Sequence, residues 1–299
     1  MPNDNNSILS FHTLYQGEFV RVNDYRCRAC HGGPAAEEYS VANDIVLMRH
    51  GAFSKHFGRR SVTADVNQAV FFSKGSTYRV SHPGDCGDRG TVFTLSKRVL
   101  DDIIRDFNPA IDEHPEHSFP FVVGPCDSTA FLLHRELVKY LEAAESAQVD
   151  AVQVEEMTLF LASRVLEAAF LRSGLRRTGR RSSTEEDHAD KVEAVKTYLA
   201  AHLGERITLD SVARAVYASP FHLARLFQRR TGVPVHRYLT RLRLRTSMER
   251  LAAGENDITS LALELGFSSH SHFTDTFGRE FGFAPSEVRS KQSAEFFAN

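Results

Sequence analysis

The sequence has no apolar run near the ~20 residues that a membrane-spanning helix needs. Its opening residues, MPNDNNSILS, lack the basic stretch and apolar core of a secretory signal. Both absences lead to the expectation of a cytoplasmic protein with no membrane partner. Cysteine is scarce: Cys27, Cys30, Cys86 and Cys126 are the only four in 299 residues. In a reducing compartment these are not expected to form a disulfide framework. Net charge is nearly absent too, at -2. That balance excludes nothing about nucleic acid, because the charge is unevenly spread. Between Phe221 and Arg250 the bases are Arg225, Arg229, Arg230, Arg237, Arg241, Arg243, Arg245 and Arg250, against one acid, Glu249. A neutral total hides a basic stripe.

What is present is an internal repeat over residues 208–289. Each copy has a short helix carrying small residues (Val212 and Ala213; Leu261 and Ala262), then a tight turn ending in Ser219 or Ser268. A second amphipathic helix follows, with Phe227 or Phe277 as its buried aromatic and Gly232 or Gly282 as a left-handed cap. This is the pattern of two helix-turn-helix units in tandem, joined by one long helix. In the first unit Ser219 is the N-cap and Pro220 takes the first helical position, where its missing N–H is no loss. Leu223, Leu226 and Phe227 then face inward, leaving Phe221, His222, Ala224, Arg225 and Gln228 more open. Pro234 starts the long helix, decorated by Arg241, Arg243 and Arg245, and Asp257 caps the second unit.

The length suffices for about two domains. Residues 11–96 read as β-rich, with short alternating runs split by Gly32-Gly33-Pro34, Gly51, Gly58, Gly75 and Pro83-Gly84. A jelly-roll, cupin-like barrel fits this half, since such barrels can enclose a small ligand. Helices are expected over 99–107, from Asp127-Ser128 to about 145, and over 149–171. The last two either cover the barrel or pair across a two-fold axis; a palindromic DNA target favours the homodimer. The expected class is therefore α+β with two domains: a cupin-like β-barrel with flanking helices at 1–171 and an all-α tandem helix-turn-helix domain at 190–292. Between them, 172–189 is polar, charged and nearly without apolar residues, and reads as a solvated tether.

Chemistry-bearing residues in the β-rich half give weaker signals. A metal-dependent barrel enzyme would need clustered histidines with a carboxylate. His50 and His56 are too far apart for a close pair on one strand, and no Glu follows at the right distance. Cys27-Arg28-Ala29-Cys30-His31 spells a haem c attachment pattern, but that chemistry requires export. Two loops could bring Cys27, Cys30, His31, His82 and Cys86 together as a thiolate site for Zn²⁺, a soft metal or a redox signal. Against it, residues three apart on a continuous strand point to opposite faces. The plainer alternative is a set of small buried side chains.

The segments SPFHLARLF with TGVPV, then LGFSSHSHFTDTF and FGFAPSEVR, resemble the AraC/XylS family of bacterial transcription regulators over roughly the last hundred residues. The resemblance implies two recognition helices entering successive major grooves on one face of operator DNA. It also implies a cupin-like effector domain, contacts with RNA polymerase, no enzymatic activity and no cofactor. Carried over by position, Phe221, Ala224 and Arg225 take the first readout positions, and His270, Ser271, His272 and Asp275 the second. Ser219, His222, Arg229 and Arg241 complete the expected DNA-facing set. Arg225 suits guanine and Ala224 a thymine methyl. Asp275 either accepts from cytosine or merely caps its helix or pairs with Arg279, and the arginines either touch phosphate or form a solvated face. The competing reading is a cupin-type metal or thiolate enzyme carrying a DNA-binding module.

Overall fold

In a computed structural model the chain divides into two compact units, residues 1–180 and 181–299. The structure describes residues 8–29, 34, 36–82, 87–107, 119–143, 149–173 and 183–288. Among them, no helix is long and apolar enough to cross a membrane.

The first unit is built on antiparallel strands. A six-stranded sheet has the order β1 (Leu9–Gln16), β2 (Val20–Cys27), β9 (Asp88–Leu95), β4 (Asp44–His50), β7 (Gln68–Phe72), β10 (Val123–Pro125). A four-stranded sheet has the order β3 (Glu38–Tyr39), β8 (Thr77–Ser81), β5 (Ala52–Phe57), β6 (Arg60–Asp65). Among the described residues the two ladders stay separate, so the closed barrel of the cupin-like expectation is seen here as two sheets. The inner strands explain why their sequences are continuously apolar: Ile45 to Met48 and Ala69 to Phe72 are buried along their whole length. A strand covered on both faces has no polar side to alternate with.

Among the described residues three helices accompany the sheets: α1 (Lys97–Arg105), α2 (Ser128–Ala143) and α3 (Ala151–Ser173), close to the predicted spans. Asp127 caps α2, accepting from the Ala130 N–H at 2.8 Å, and its carboxylate also takes two hydrogen bonds from Arg164 of α3. A second polar knot ties α2 to the large sheet. Buried Arg49 reaches Asp24 at 3.2 Å and Glu142 at 2.9 Å, while Arg89 reaches the same two carboxylates at 3.0 and 2.8 Å. A buried charge left without its partner is strongly destabilising, so the four groups depend on one another. His134, wholly buried on α2, shares a 2.8 Å hydrogen bond with Thr91 of β9.

The second unit is all-helical, as expected. Helix α4 runs Ser183–Ala201, so it begins inside the stretch read as tether. Near its start Lys191 pairs with Asp187 one turn earlier at 2.6 Å, which supports helix without any apolar residue. Then come α5 (Leu209–Ala215), α6 (Pro220–Thr231), α7 (Val235–Ala252), α8 (Ile258–Glu264) and α9 (His270–Phe281), closed by a 3-10 turn at Pro285–Glu287.

The Asp24–Arg49–Arg89–Glu142 knot yields a prediction. Burial works to raise the Glu142 pKa, but hydrogen bonds from Arg49 and Arg89 prevail and hold it below the ordinary value. A depressed carboxylate pKa contributes stability at neutral pH that is lost as pH falls through the folded-state value. Glu142→Gln is expected to lower the melting temperature at pH 7 and to flatten its decline below about pH 5. Thermal melts across that range check it; parallel acid limbs for the two proteins would refute it.

Candidate nucleic-acid interface

The repeat is visible atom by atom. In the first unit Thr208 and Ser211 form a reciprocal capping box on α5. In the second, Asp257 accepts from the Ser260 N–H at 2.9 Å at the start of α8. The turns that follow are the same turn. Val216 and Leu265 donate to Val212 and Leu261, and Ala218 and Phe267 donate back to Ala213 and Ala262 at 2.9 and 3.0 Å. Between them stands one left-handed residue, Tyr217 (φ 51°) in the first copy and Gly266 (φ 75°) in the second. Glycine adopts that backbone at no steric cost, whereas a side chain there costs about 1 kcal/mol or more. Tyr217 carries that strain while 94% exposed. The sequence reading missed it; a tyrosine aligned with a glycine in the repeat was the available signal.

Helices α6 and α9 both have 12 residues. Ser219 caps α6, accepting from the His222 N–H at 3.3 Å. The cap of α9 is Ser269, the second of the two serines that open it, accepting from the His272 N–H at 3.1 Å. Both helices stop at left-handed Gly232 and Gly282, whose N–H groups donate at 2.8 Å to Gln228 and Gly278. Leu223, Leu226 and Phe227 are buried on α6, and Phe273, Phe277 and Phe281 on α9. Phe227 meets Tyr238 of α7 edge-on at 5.3 Å, and Phe277 sits among Phe273, Phe281 and Phe283. These anchors turn the opposite faces outward.

On α6 the outward face carries exposed His222, Arg225, Gln228 and Arg229, with Ala224 half-buried between them. The backbone of Phe221 lies in this helix, but its side chain is outside the described residues. The His222 ring lies 5.5 Å from that of His188 on α4. On α9, His270, Ser271, His272 and Asp275 are all exposed. His272 meets the Ser268 hydroxyl at 2.9 Å, and its ring packs edge-on against Phe267. His270 bridges Thr259 and Thr274 at 3.4 Å each. Arg279 donates to the backbone carbonyl of Asp275 and to the Thr276 hydroxyl, so the Asp275–Arg279 ion pair envisaged from sequence is not formed.

The arginine stripe divides. Arg241, placed in the DNA-facing set, is ion-paired to Glu280 of α9 at 3.0 Å. Arg245 is fully buried. Arg243 is a structural clamp: Nε donates to the Leu203 carbonyl, one terminal nitrogen to Gly266 and the other to Glu205, at 2.9, 2.9 and 2.6 Å. Burial lowers its pKa from the ordinary arginine value. Arg250 is taken by Glu255 and Glu264. Decoration of α7 by phosphate-seeking arginines is thus corrected for Arg243 and Arg245. Spacing along a helix does not tell an outward guanidinium from one whose five donors meet nearby carbonyl groups.

Of the possible thiolate set, Cys30, His31 and Cys86 lie outside the described residues. Cys27 and His82 do come together, with Asp88 as a third member that the sequence reading missed. Burial, with Asp88 and Glu38 nearby, pushes the Cys27 thiol up against an opposing hydrogen bond from the Ala29 N–H. An upward shift leaves less thiolate, the reverse of what a catalytic cysteine requires.

The second unit is therefore a pair of helix-turn-helix modules sharing one strut. A family model described as a helix-turn-helix domain matches residues 212–291. The transcriptional activator RhaS of Enterobacter is 29% identical over 258 residues, 86% of this chain and 88% of that protein. RhaS of Escherichia coli O139:H28 is 34% identical over 113 residues, 37% of this chain and 41% of that one. A solved AraC-type transcriptional regulator from Chromobacterium violaceum is 30% identical, covering 36% of this chain and 94% of its own, with a TM-score of 0.33. The chain is a DNA-binding transcription regulator, and what it is similar to over residues 212–291 is a helix-turn-helix domain.

The clamp supplies the prediction for this site. Arg243→Ala leaves three carbonyl groups without their donor and opens a void on α7. It is expected to destabilise the second unit by about 2–4 kcal/mol, whereas Arg241→Ala, which removes one part-buried ion pair, costs about 1 kcal/mol. Urea unfolding of both variants measures the contrast; equal small losses would show that Arg243 is not a clamp.

Proposed function

We propose that α6 and α9 are the two readers of one operator, each lying in a major groove of duplex DNA. The carrying observation is that two helices of equal length, equal caps and equal aromatic anchoring flank the same strut. An 18-residue α7 spans about 27 Å, of the order of the ~34 Å repeat of duplex DNA. In this reading Arg225 and Ala224 read bases from α6, and His270, Ser271, His272 and Asp275 act on the second groove. Ser219, His222, Arg229 and strained Tyr217 position the DNA backbone, and Arg241 braces α9. Phosphate contacts set register, while base contacts set sequence.

Control by a small effector in the first unit, a homodimer, contact with RNA polymerase and a cytoplasmic location complete the proposal. Exposed Val152, Phe160 and Leu171 on α3 support pairing of two copies through that helix. For the effector, a cavity of about 150 Å³ opens beside Lys55, Phe71, Phe119 and Phe121. Lys55 is buried there, donating to the Phe71 carbonyl at 2.9 Å with its ammonium 3.6 Å from the Phe72 ring centre. A buried ammonium facing a cavity suits an anionic or carbonyl-bearing effector.

Two measurements follow. Arg225→Ala is expected to weaken operator binding about tenfold or more while changing affinity for random DNA far less. Fluorescence anisotropy with both duplexes decides; equal losses would reduce Arg225 to a phosphate contact. Burial also lowers the Lys55 pKa from 10.5 to about 8. Between these values the unfolded chain binds more protons, so stability should rise with pH over that window. Lys55→Met is expected to abolish the rise, an effect of up to ~3 kcal/mol. An unchanged slope in melts from pH 8 to 10.5 would exclude Lys55 as the source.

A further inference from the structure

Cys27 ends β2, Asp88 opens β9, and the two are paired in register on adjacent strands. His82 follows directly after β8, in the other sheet. One ligating atom from each of the three lies within 4.8 Å of the other two. The Asp88 side chain is only 2% exposed and that of His82 only 13%. His82 Nε2 approaches Asp88 Oδ2 to 2.7 Å, yet among the described residues no hydrogen bond reaches that oxygen. The pair is close without being aligned donor to acceptor. Two ligands set side by side around a common point have this relation; an ordinary His–Asp hydrogen bond does not. A buried carboxylate in such a place calls for a cation.

We propose that Cys27, His82 and Asp88 form a site for a borderline divalent cation of the zinc class. Thiolate, imidazole and carboxylate together are the donor set that such an ion accepts, in tetrahedral geometry with one position left open. Zinc-to-ligand distances put neighbouring ligand atoms about 3.3–3.6 Å apart. The thiol therefore moves in by about 1.5 Å at most, and the His82–Asp88 contact opens by less than about 1 Å. The setting fits this adjustment. The Tyr25 hydroxyl, which donates to Met48 Sδ at 3.0 Å, is buried and stands close enough to Asp88 for the carboxylate charge to add to burial in raising its pKa. Gly87, at φ 72°, brings its backbone so near the end of β2 that a Cβ there would lie 2.8 Å from the Cys27 carbonyl oxygen. That close approach keeps the Asp88 strand against Cys27.

The topology gives the ion a consequence. Cys27 and Asp88 belong to the six-stranded sheet and His82 leaves the four-stranded one, so the ion joins two ladders that are otherwise separate. Ion binding then becomes folding free energy of this unit. The proposal stands independently of how the second unit reads DNA.

The test uses the full chain, reduced and stripped by a chelator. Titration with cobalt(II) is expected to give a thiolate-to-cobalt charge-transfer band saturating at one equivalent, displaced by zinc(II). Zinc alone should raise the melting temperature by about 5 °C or more at large excess over Kd. Cys27→Ser should remove the band and the thermal shift, and His82→Asn should weaken cobalt binding at least tenfold. Cys126→Ser should leave all three readouts unchanged. A full-strength band in Cys27→Ser overturns the assignment, and so does wild-type protein whose melting temperature ignores zinc. Circular dichroism of each metal-free variant verifies folding, and His82→Asn carries the test should Cys27→Ser not fold.

Discussion

The second unit depends on three hydrogen bonds from one side chain. Arg243, in the middle of α7, holds the carbonyl groups of Leu203 and Glu205 before α5 and of Gly266 in the turn before α9. A guanidinium offers donors in a fixed planar fork, and three carbonyl groups from two chain segments meet that fork here. The result joins the approach to the first helix-turn-helix to the turn of the second. Carbonyl groups at helix ends lack partners within the helix, so the clamp also satisfies acceptors that would otherwise need water. The Cβ of any residue at 266 would lie 2.5 Å from the Arg243 side chain, so a glycine there serves both the left-handed turn and the clamp.

Repetition makes the two readers alike, and departures from repetition make them different. The caps, the turns and the Phe anchors recur. The outward faces do not: α6 offers Arg225 and Arg229, while α9 offers two histidines, a serine and an aspartate. The first reader is cationic and the second is mixed, so the two grooves are met with different chemistry. Tyr217 marks a further difference, since its left-handed backbone is the one place where the first copy bears strain that the second avoids.

The first unit combines a dry and a charged half. Its large sheet packs continuous apolar strands, and α2 is tied to that sheet by the Asp24–Arg49–Arg89–Glu142 knot. Lys55 and the Cys27–His82–Asp88 cluster belong to the same sheets. Ionisable groups that burial has separated from water are costly to keep, which is why they repay attention as binding positions.

Much of the helical unit was legible in the chain. Ser219, Pro220, Gly232 and Gly282 announce helix ends through local backbone chemistry, and 3.6-residue periodicity exposes Leu223, Leu226, Phe227 and Phe277 as core. The β-rich half gave up its strands and helices but not its sheet closure, because strand order depends on pairings between residues far apart. Two adjacent serines, Ser268 and Ser269, open α9 and carry the same local preference, so the structure is what picks Ser269 as the cap. Sequence alone therefore determined what neighbours in the chain control: caps, turns, amphipathic faces and the repeat itself. Only the tertiary structure decided which arginines of α7 turn inward, which carboxylate joins Cys27 and His82, and that two ladders stay apart. Those outcomes rest on contacts between distant segments, whose geometry no single stretch of chain encodes.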